Sequence, residues 1–276
     1  IGDGITMNLF FDIGGTKIRA AFSDGGERLE EPVVEKTPPE FDEAISLISE
    51  MREKTTKGRK VSRAVCGIPG VYDRERDELV WSPNLAGWKG RKIKKEIEEA
   101  AGAPIDIVND ADLVGLGEAV FGAGKGFRSS VYVTVSTGVG GGLVALGQIS
   151  KNVSGFEPGQ QIIGKDGETL EYLVGGGSFK RRFGKSPKDV TDPTVWQEAA
   201  EVLSVGLYNT VMHCSPDVLV LGGPMILGNP AIPFDIVAER TRERVLKIFP
   251  KCPEIKKAEL GDFGGLYGGL AYSRPC

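Results

Sequence analysis

The sequence has few of the residues that build metal sites and disulfide frameworks. It contains one histidine, His213, and four cysteines, Cys66, Cys214, Cys252 and Cys276, none of which share a CxxC spacing. Scattered cysteines and a lone histidine favour neither a zinc site nor a disulfide framework. We therefore expect a protein of a reducing compartment, the cytoplasm, with no zinc.

The sequence also lacks an excess of positive charge and long apolar runs. Its formal net charge of -4 at pH 7 gives no reason to expect nucleic acid or an anionic membrane as a partner. No run of about 18 apolar residues marks a membrane span. The basic segment Lys180–Lys185 has one aromatic residue and no wider basic face, so we predict a solvated loop. The partner is expected to be a small molecule.

A glycine-rich hairpin near the N-terminus is the most informative segment. The apolar residues Phe10 and Phe11 lead into Asp12, the glycines Gly14 and Gly15 follow, and the chain continues as an alternating strand. Glycine adopts backbone angles that are closed to other residues and lets main-chain N–H groups approach a phosphate. A carboxylate at a strand end can hold magnesium, directly or through water. The segment predicts a nucleotide-phosphate site, the alternative being glycines that serve turn geometry alone.

A second hairpin of the same kind follows in the middle of the chain. The apolar strand from Val131 ends in a turn that contains Thr137 and Gly138, and a second apolar strand runs to Val144. Two similar hairpins at so long a spacing indicate a duplicated domain, since the repeats of a solenoid are far shorter. We predict two related α/β halves that contact phosphates from both sides.

Around these hairpins, strands and helices alternate. Apolar residues at helical spacing predict amphipathic helices, and short apolar runs predict strands. The glycine-rich segment Phe121–Gly126 predicts a hinge between an N-terminal domain over residues 7–121 and a C-terminal domain over 122–263, with a closing helix over 264–276 that completes the first domain. The predicted elements are helices over Phe41–Met51, Trp88–Ala101, Asp192–His213 and Leu266–Ala271, and strands over Val61–Ile68, Ile105–Val108 and Val218–Leu221.

A polar cluster follows the strand that ends at Val108. Asn109 and Asp110 stand where this strand meets the next helix, and strand ends line the ligand crevice in open α/β sheets. Phosphoryl transfer needs a carboxylate that orients and deprotonates the acceptor hydroxyl. We predict Asp110 as this general base, the alternative being an ordinary helix N-cap. Asp112, two residues further on, is predicted to be a charge in the first helical turn.

Together, the motifs resemble the ROK family of sugar kinases, a branch of the actin-like ATPase superfamily. The resemblance extends from Met7 nearly to the C-terminus and implies two ribonuclease-H-like α/β domains that face each other across a nucleotide and sugar cleft. It also implies ATP and magnesium as cofactors, a homodimer, and phosphorylation of a hexose or N-acetylhexosamine, usually at the 6-hydroxyl. The motifs that carry it are Asp12–Lys17, Ile68–Gly70, Pro83–Leu85, Asn109–Ala111, Ser136–Gly142 and Leu221–Gly223.

The resemblance implies a role for each matching residue. On the donor side, the ATP-binding residues are Asp12, Gly14, Gly15, Thr16, Lys17, Thr137 and Gly138, with Gly222 and Gly223 near the adenosine. On the acceptor side, the sugar-binding residues are Gly70, Asn84, Asn109, Asp110, Glu157, Gln160 and Glu171. An asparagine can both donate to and accept from sugar hydroxyls, which suits Asn109.

One segment departs from the family pattern. Gly155–Gln160 stands where the family has Gly-Glu-Ile-Gly-His, so Gln160 replaces a histidine that touches the sugar and binds a structural zinc. Gly164–Glu171 also lacks the cysteine cluster that supplies the other zinc ligands, so no zinc is expected. A glutamine keeps a hydrogen bond to a hydroxyl but does not titrate near neutral pH. Which sugar is phosphorylated, and whether another phosphoryl donor is used, stay open.

Two other functions compete with the kinase. A sensor that responds to a sugar or nucleotide through protein contacts would explain Gln160 and the missing zinc motif. A transcription repressor of the same family would carry a helix-turn-helix segment ahead of the kinase-like body, and Met7–Phe11 leave no room for one before Asp12. We favour the kinase over the sensor, and the sensor over the repressor, because the chain keeps a full set of polar site residues. These are Asp12, Asn109, Asp110, Glu157 and Glu171.

Overall fold

The computed structural model describes residues 7–82, 85–151 and 155–274. The chain divides into two compact units, which we call unit 1 and unit 2. Unit 1 comprises Ile1–Gly117 and Asp262–Cys276, and unit 2 comprises Glu118–Gly261. None of the helices in the described ranges is long and apolar enough to cross a lipid bilayer.

The strands that the structure describes form two five-stranded sheets and one small hairpin. They are β1 (Met7–Ile13), β2 (Lys17–Asp24), β3 (Val33–Lys36), β4 (Arg63–Ile68), β5 (Val71–Asp73), β6 (Glu78–Trp81), β7 (Ile105–Asn109), β8 (Ser129–Val135), β9 (Val139–Ala145), β10 (Gln148–Ile149), β11 (Val218–Gly222) and β12 (Glu254–Lys257).

Helices connect and cover these strands. They are α1 (Phe41–Thr56), α2 (Ile93–Ala101), α3 (Asp110–Phe121), α4 (Leu170–Val174), α5 (Gly176–Phe183), α6 (Pro193–Cys214), α7 (Pro224–Leu227), α8 (Phe234–Val245) and α9 (Gly264–Tyr272). Short 3-10 turns lie at Ala86–Trp88, Pro158–Gln160, Pro187–Asp189 and Gly261–Phe263.

The two large sheets have the same strand order. In unit 1 the order is β3-β2-β1-β4-β7, and in unit 2 it is β10-β9-β8-β11-β12. In unit 1, β1 pairs antiparallel with β2 and parallel with β4. In unit 2, β8 likewise pairs antiparallel with β9 and parallel with β11. This shared topology agrees with the duplication that the two glycine hairpins predict.

The central strand β1 is buried on both faces, as its apolar run Leu9–Phe11 predicts. Leu9 and Phe11 belong to the core cluster that includes the buried faces of α1 and α2. On the opposite face, Phe10 lies so close to α9 that a Cβ atom at Gly269 would be 2.8 Å from its ring. Helix α9 packs against β1, β2 and β4, so the C-terminal segment completes the core of unit 1.

Most of the predicted elements are observed, and their local signals explain them. The buried residues Phe41, Ile48 and Met51 give α1 its apolar face. At the start of α6, where the sequence predicted a helix from Asp192, the Asp192 side chain accepts a hydrogen bond from the Thr194 N–H and caps the helix.

Two element predictions were wrong. The helix expected from Trp88 begins only at Ile93, because Gly90 has φ of 76° and interrupts the chain after a 3-10 turn. The loop expected over Lys180–Lys185 lies largely within α5, which ends at Gly184 in the left-handed conformation. The buried Phe179 anchors that helix to the core of unit 2, a contact that the basic residues of the segment do not reveal.

Candidate active site

The first glycine hairpin is closed by main-chain hydrogen bonds. The β1–β2 pairing ends at Ile13 and Ile18, and the Gly14 N–H donates to the Lys17 carbonyl oxygen over 2.9 Å. A Cβ atom at Gly14 would lie 3.3 Å from that oxygen, so close approach favours glycine. We expected Gly14 to adopt a backbone conformation that is closed to other residues. This expectation was wrong, because the φ of Gly14 lies outside the left-handed region. Residues 15–17, at the tip, are exposed.

Thr37, a buried residue just after β3, supports this hairpin. Its hydroxyl donates to the Gly14 carbonyl oxygen over 2.6 Å, and its N–H donates to the Thr16 carbonyl oxygen over 3.0 Å. Both bonds fix the backbone whose N–H groups would face phosphate. The sequence carried no signal for Thr37, which stands 23 residues from Gly14.

Asp12 lies near the end of β1, and its side chain is 13% exposed. Arg19 Nη1 lies 3.4 Å from Asp12 Oδ2, and Arg19 Nη2 lies 3.2 Å from Asp262 Oδ2. A Cβ atom at Gly265, in the first turn of α9, would lie 2.7 Å from Asp12 Cγ. Burial raises the pKa of Asp12 to about 6, because the attraction of Arg19 offsets only part of the desolvation and the charge of Asp262 adds to the rise.

These surroundings fit a magnesium ion beside Asp12. A nearly buried carboxylate whose charge is incompletely balanced attracts a divalent cation, and magnesium prefers oxygen ligands. Within the described ranges, no group of three or more His, Cys, Asp or Glu side chains could hold a metal ion. A magnesium ion held by Asp12 would therefore take its other ligands from water and nucleotide phosphates, as this ion usually does.

Strand pairing brings Asp12, Asn109 and Asp110 to one edge of the unit 1 sheet. Asp12 pairs with Gly67 on β4, and the following residue, Ile68, pairs with Asn109 on β7. One strand, β4, therefore lies between the strand that carries Asp12 and the strand that leads to Asp110. A Cβ atom at Gly67 would lie 3.7 Å from Asp12 Oδ1 and 3.5 Å from Asp110 Cα, so glycine keeps this space clear.

Asn109 caps helix α3. Its Oδ1 accepts hydrogen bonds from the Ala111 N–H over 2.9 Å and from the Asp112 N–H over 3.1 Å. Its Nδ2 donates to the Gly70 carbonyl oxygen over 3.3 Å. Both acceptor positions of the amide oxygen are thus used by the cap, so Asn109 is suited to donate to a sugar rather than to accept from it. The N-cap role considered for Asp110 belongs to Asn109.

Asp110 is the first residue of α3. Its Oδ1 accepts a hydrogen bond from the Ala111 N–H over 2.8 Å. The carboxylate stands at the N-terminus of α3, where the helix N–H groups are exposed to it. The fold therefore places a helix-anchored carboxylate at the sheet edge that carries Asp12.

Gly70 is fixed beside Asn109 by its backbone conformation. Its φ is 104°, and a Cβ atom would lie 2.1 Å from the Trp81 carbonyl oxygen, so a larger residue does not fit. This packing alone requires the glycine, whatever its contact with a sugar. The other predicted sugar-binding residue of this region, Asn84, lies outside the described residues.

The second glycine hairpin is held by the start of α5. The Ser136 N–H donates to the Gly138 carbonyl oxygen over 2.8 Å and closes the turn. The Gly176 N–H donates to the Ser136 carbonyl oxygen over 2.7 Å, and the Gly177 N–H donates to the Thr137 carbonyl oxygen over 2.8 Å. Thr137 itself is exposed, as a phosphate-contacting hydroxyl must be.

Three predicted sugar-binding residues come together in unit 2. Glu171 Oε1 accepts a hydrogen bond from Gln160 Nε2 over 3.4 Å, and Glu171 Oε2 accepts one from the Val139 N–H over 2.8 Å. Desolvation by the surrounding protein raises the pKa of Glu157, and the nearby charge of Glu171 raises it further. The sequence did not predict that Glu171 also contacts the second hairpin.

Gly222 ends β11 next to β8, and Gly223 follows it as the residue before α7. A Cβ atom at Gly222 would lie 2.5 Å from the Tyr132 hydroxyl oxygen, and one at Gly223 would lie 2.4 Å from the Val135 carbonyl oxygen. Gly223 also has φ of 84°. Close packing on β8 accounts for both glycines, and the adenosine contact implied for them stays a prediction.

In each unit, therefore, a glycine hairpin and polar residues are built on one five-stranded sheet. This arrangement places the protein in the class of actin-like ATPase folds, and the ROK family model matches residues 9–274. The chain belongs to the ROK family.

Individual relatives agree with this assignment. Glucokinase of Streptomyces coelicolor is 31% identical over 141 residues, which span 51% of this chain and 44% of that enzyme, less than half its length. N-acetyl-D-glucosamine kinase of Vibrio cholerae is 28% identical over 94% of this chain and 96% of that enzyme. The crystal structure of ROK hexokinase from Thermus thermophilus matches with a TM-score of 0.83 at 29% identity, covering 96% of this chain and 97% of that one. The predicted family and fold class are confirmed.

Proposed function

We propose that the protein is an ATP-dependent sugar kinase that phosphorylates a hexose or N-acetylhexosamine, at the 6-hydroxyl. The observation that carries this proposal is the sheet edge of unit 1, where Asp110 at a helix N-terminus and Asp12 beside a glycine hairpin are separated by one strand. Membership of a family with glucokinase and N-acetylglucosamine kinase relatives supports it.

In the proposed reaction, Asp110 accepts the proton of the sugar hydroxyl. The hydroxyl oxygen bonds to the γ-phosphorus, the bond from that phosphorus to the β–γ bridging oxygen breaks, and ADP leaves. Magnesium, when bound, supplies positive charge that offsets the charge of the phosphates. In each hairpin, the main-chain N–H groups would hold phosphate, with Lys17 at the first hairpin and Thr137 at the second.

Each unit carries residues that are predicted to bind the sugar. In unit 1, Asn109 donates while its oxygen caps α3. In unit 2, Glu157 and Glu171 accept from hydroxyls, and Gln160 provides an amide that both donates and accepts. We also propose, from the family resemblance, that the protein acts as a homodimer in the cytoplasm.

The test is ADP production by the purified protein with magnesium and ATP, across a panel of hexoses and N-acetylhexosamines. Wild-type turnover with one or two sugars is expected, together with a loss of at least about a hundredfold in Asp110→Asn, because general-base catalysis contributes that much or more. ATP binding should be largely retained in the variant. If Asp110→Asn turned over the sugar as fast as the wild type, Asp110 would not be the general base.

A second candidate is a sensor that binds sugar or nucleotide without transfer. It is favoured by Gln160, whose side chain is occupied with Glu171 in the place of a family histidine. ATP binding with no turnover on any sugar of the panel would support the sensor and contradict the kinase.

A further inference from the structure

The Glu171 carboxylate joins the predicted sugar-binding segment of unit 2 to its glycine hairpin. Oε1 accepts from Gln160 Nε2, while Oε2 accepts from the N–H of Val139, the residue that follows the turn. We propose that Glu171 is a positioning residue for the hairpin, so that sugar binding at Glu171 orders the hairpin and raises the affinity for magnesium-ATP. This coupling rests on the proposed function. We call the bond between Glu171 Oε2 and the Val139 N–H the hairpin latch.

The second hairpin lies close against the Glu171 carboxylate. A Cβ atom at Gly138 would lie 2.4 Å from Glu171 Oε2, so the hairpin approaches the carboxylate with only hydrogen on that glycine. On the other side of Gly138, a hydrogen bond from Gly177 to the Thr137 carbonyl oxygen holds the turn. The Glu171 carbonyl oxygen accepts from the Gly175 N–H over 2.9 Å, which ties the Glu171 backbone to the start of α5. The hairpin is therefore held between α5 and the Glu171 side chain.

The two hydrogen bonds of Glu171 differ in strength. The bond to Val139 is short and charge-assisted at 2.8 Å, whereas the bond to Gln160 is long at 3.4 Å. A sugar hydroxyl would therefore replace or join Gln160 at Oε1 and leave Oε2 on Val139. Ordering Glu171 has an entropic cost, and sugar binding would already include that cost. A nucleotide that needs the ordered hairpin would therefore bind more tightly when the sugar is already bound.

The same coupling must act in both directions. A sugar that lowers the Kd of a nucleotide is bound more tightly, by the same factor, when the nucleotide is present. Couplings of this kind are typically fivefold or larger. We expect at least about a fivefold effect between glucose or N-acetylglucosamine and the non-hydrolysable analogue AMPPNP with magnesium.

The first experiment measures the Kd of magnesium-AMPPNP by calorimetry, with and without the sugar that is turned over. The wild type should show the coupling, and Gly138→Ala should lose it because the added Cβ displaces the carboxylate from Val139. In Gly138→Ala, KM for ATP should rise and kcat should fall. Glu198→Gln, an exposed position on α6, should behave as wild type. Undiminished coupling in Gly138→Ala would overturn the proposal.

The second experiment follows hydrogen exchange of the Val139 amide without nucleotide. The sugar alone should slow exchange at Val139 in the wild type but not in Gly138→Ala. Without any ligand, Glu171→Ala should exchange faster at Val139 than wild type, and Glu171→Gln, which keeps an acceptor oxygen, should lie between them. If neither the sugar nor the Glu171 substitutions change the exchange rate of the Val139 amide, the proposed role of the hairpin latch is wrong.

The two experiments separate failure of the latch from failure of the proposed function. A wild type that phosphorylates a sugar but shows no sugar effect on AMPPNP binding or on Val139 exchange would be a kinase without this coupling. A wild type that binds and phosphorylates no sugar contradicts the proposed function and, with it, the sugar-driven coupling.

Discussion

Arg19 Nη1 donates a hydrogen bond to Asp12 Oδ2 over 3.4 Å, between residues that lie opposite each other in the β1–β2 pair. The same guanidinium contacts Asp262 Oδ2 over 3.2 Å. One cation is therefore shared by two carboxylates, and the buried Asp12 is left incompletely balanced. Burial raises the pKa of Asp12 to about 6, because Arg19 offsets only part of the desolvation and the charge of Asp262 adds to the rise.

Asp12 is expected to destabilise the metal-free protein at neutral pH. An acid with a higher pKa in the folded chain binds more protons when folded, so its contribution to stability is present at low pH and lost as pH rises through the folded value. For Asp12 that range runs from its ordinary 3.8 to about 6. The difference corresponds to about 3 kcal/mol.

Asp12→Asn should therefore increase the free energy of unfolding at pH 7.5 without magnesium, by up to about 3 kcal/mol, and by little at pH 4. Urea unfolding across this pH range measures the difference between the variant and wild type. Asp24→Asn, at the exposed end of β2, serves as the control. A difference for Asp12→Asn that does not change with pH would contradict the assignment.

Gly70→Ala should be strongly destabilising. Its Cβ atom would overlap the Trp81 carbonyl oxygen at 2.1 Å, in addition to the strain of a left-handed backbone. Gly90→Ala is a matched control, because Gly90 has φ of 76° but no atom within 4 Å of the place where a Cβ would stand. The control should cost about 1 kcal/mol for the backbone alone, and Gly70→Ala should cost clearly more in urea unfolding. Equal costs would show that Trp81 moves aside easily.

Thr37→Val should weaken nucleotide binding. The substitution removes the hydroxyl that donates to the Gly14 carbonyl oxygen and keeps the shape of the side chain. Loss of one such bond costs about 1 kcal/mol, so the Kd for magnesium-AMPPNP should rise by about fivefold, whereas Thr37→Ser should stay near wild type. Thr55→Val is the control, since Thr55 Oγ1 is buried without a hydrogen-bond partner and its removal should not destabilise the fold. An unchanged Kd in Thr37→Val would mean that the hairpin keeps its shape without Thr37.

Glu118→Ala should lower the stability of unit 2. The Glu118 side chain is 1% exposed, and its carboxylate accepts hydrogen bonds from the N–H groups of Ala123, Glu259 and Leu260 over 2.9, 2.9 and 2.8 Å. Removing it leaves these donors without their acceptor, at a cost of about 3 kcal/mol or more.

Glu118→Gln, which retains one acceptor oxygen, should be intermediate between Glu118→Ala and wild type. Glu259→Gln is the control, because its exposed side chain changes while its N–H remains. Urea unfolding and hydrogen exchange at Leu260 measure the effect. Protection at Leu260 that survives Glu118→Ala would refute the role of this carboxylate.

The parts of the site that follow local rules were predictable from the sequence. A carboxylate followed by two glycines between apolar strands predicted the first hairpin, and an Asn-Asp pair after a buried strand predicted the start of α3. The sequence assigned the alternative N-cap role to Asp110, and the structure gives it to Asn109. Asparagine and aspartate are almost equally good caps, so the pattern did not distinguish them.

The supporting residues were not predictable. Arg19, Thr37 and Asp262 carry no motif of their own, and Glu118 contacts Leu260 from 142 residues away along the chain. Such contacts depend on which strands become neighbours and on the register of their pairing. Local sequence patterns do not reveal either of these.

The sequence by itself determined the family, the α/β class and the order of the motifs, because glycine turns, apolar strands and helix caps are set by neighbouring residues. Only the tertiary structure decided that Arg19 is shared between Asp12 and Asp262, and that Glu171 bonds the hairpin at Val139. The contacts of Arg19 with Asp262 and of Glu171 with Val139 join segments that are distant in the chain, and the packed sheets and helices bring them together.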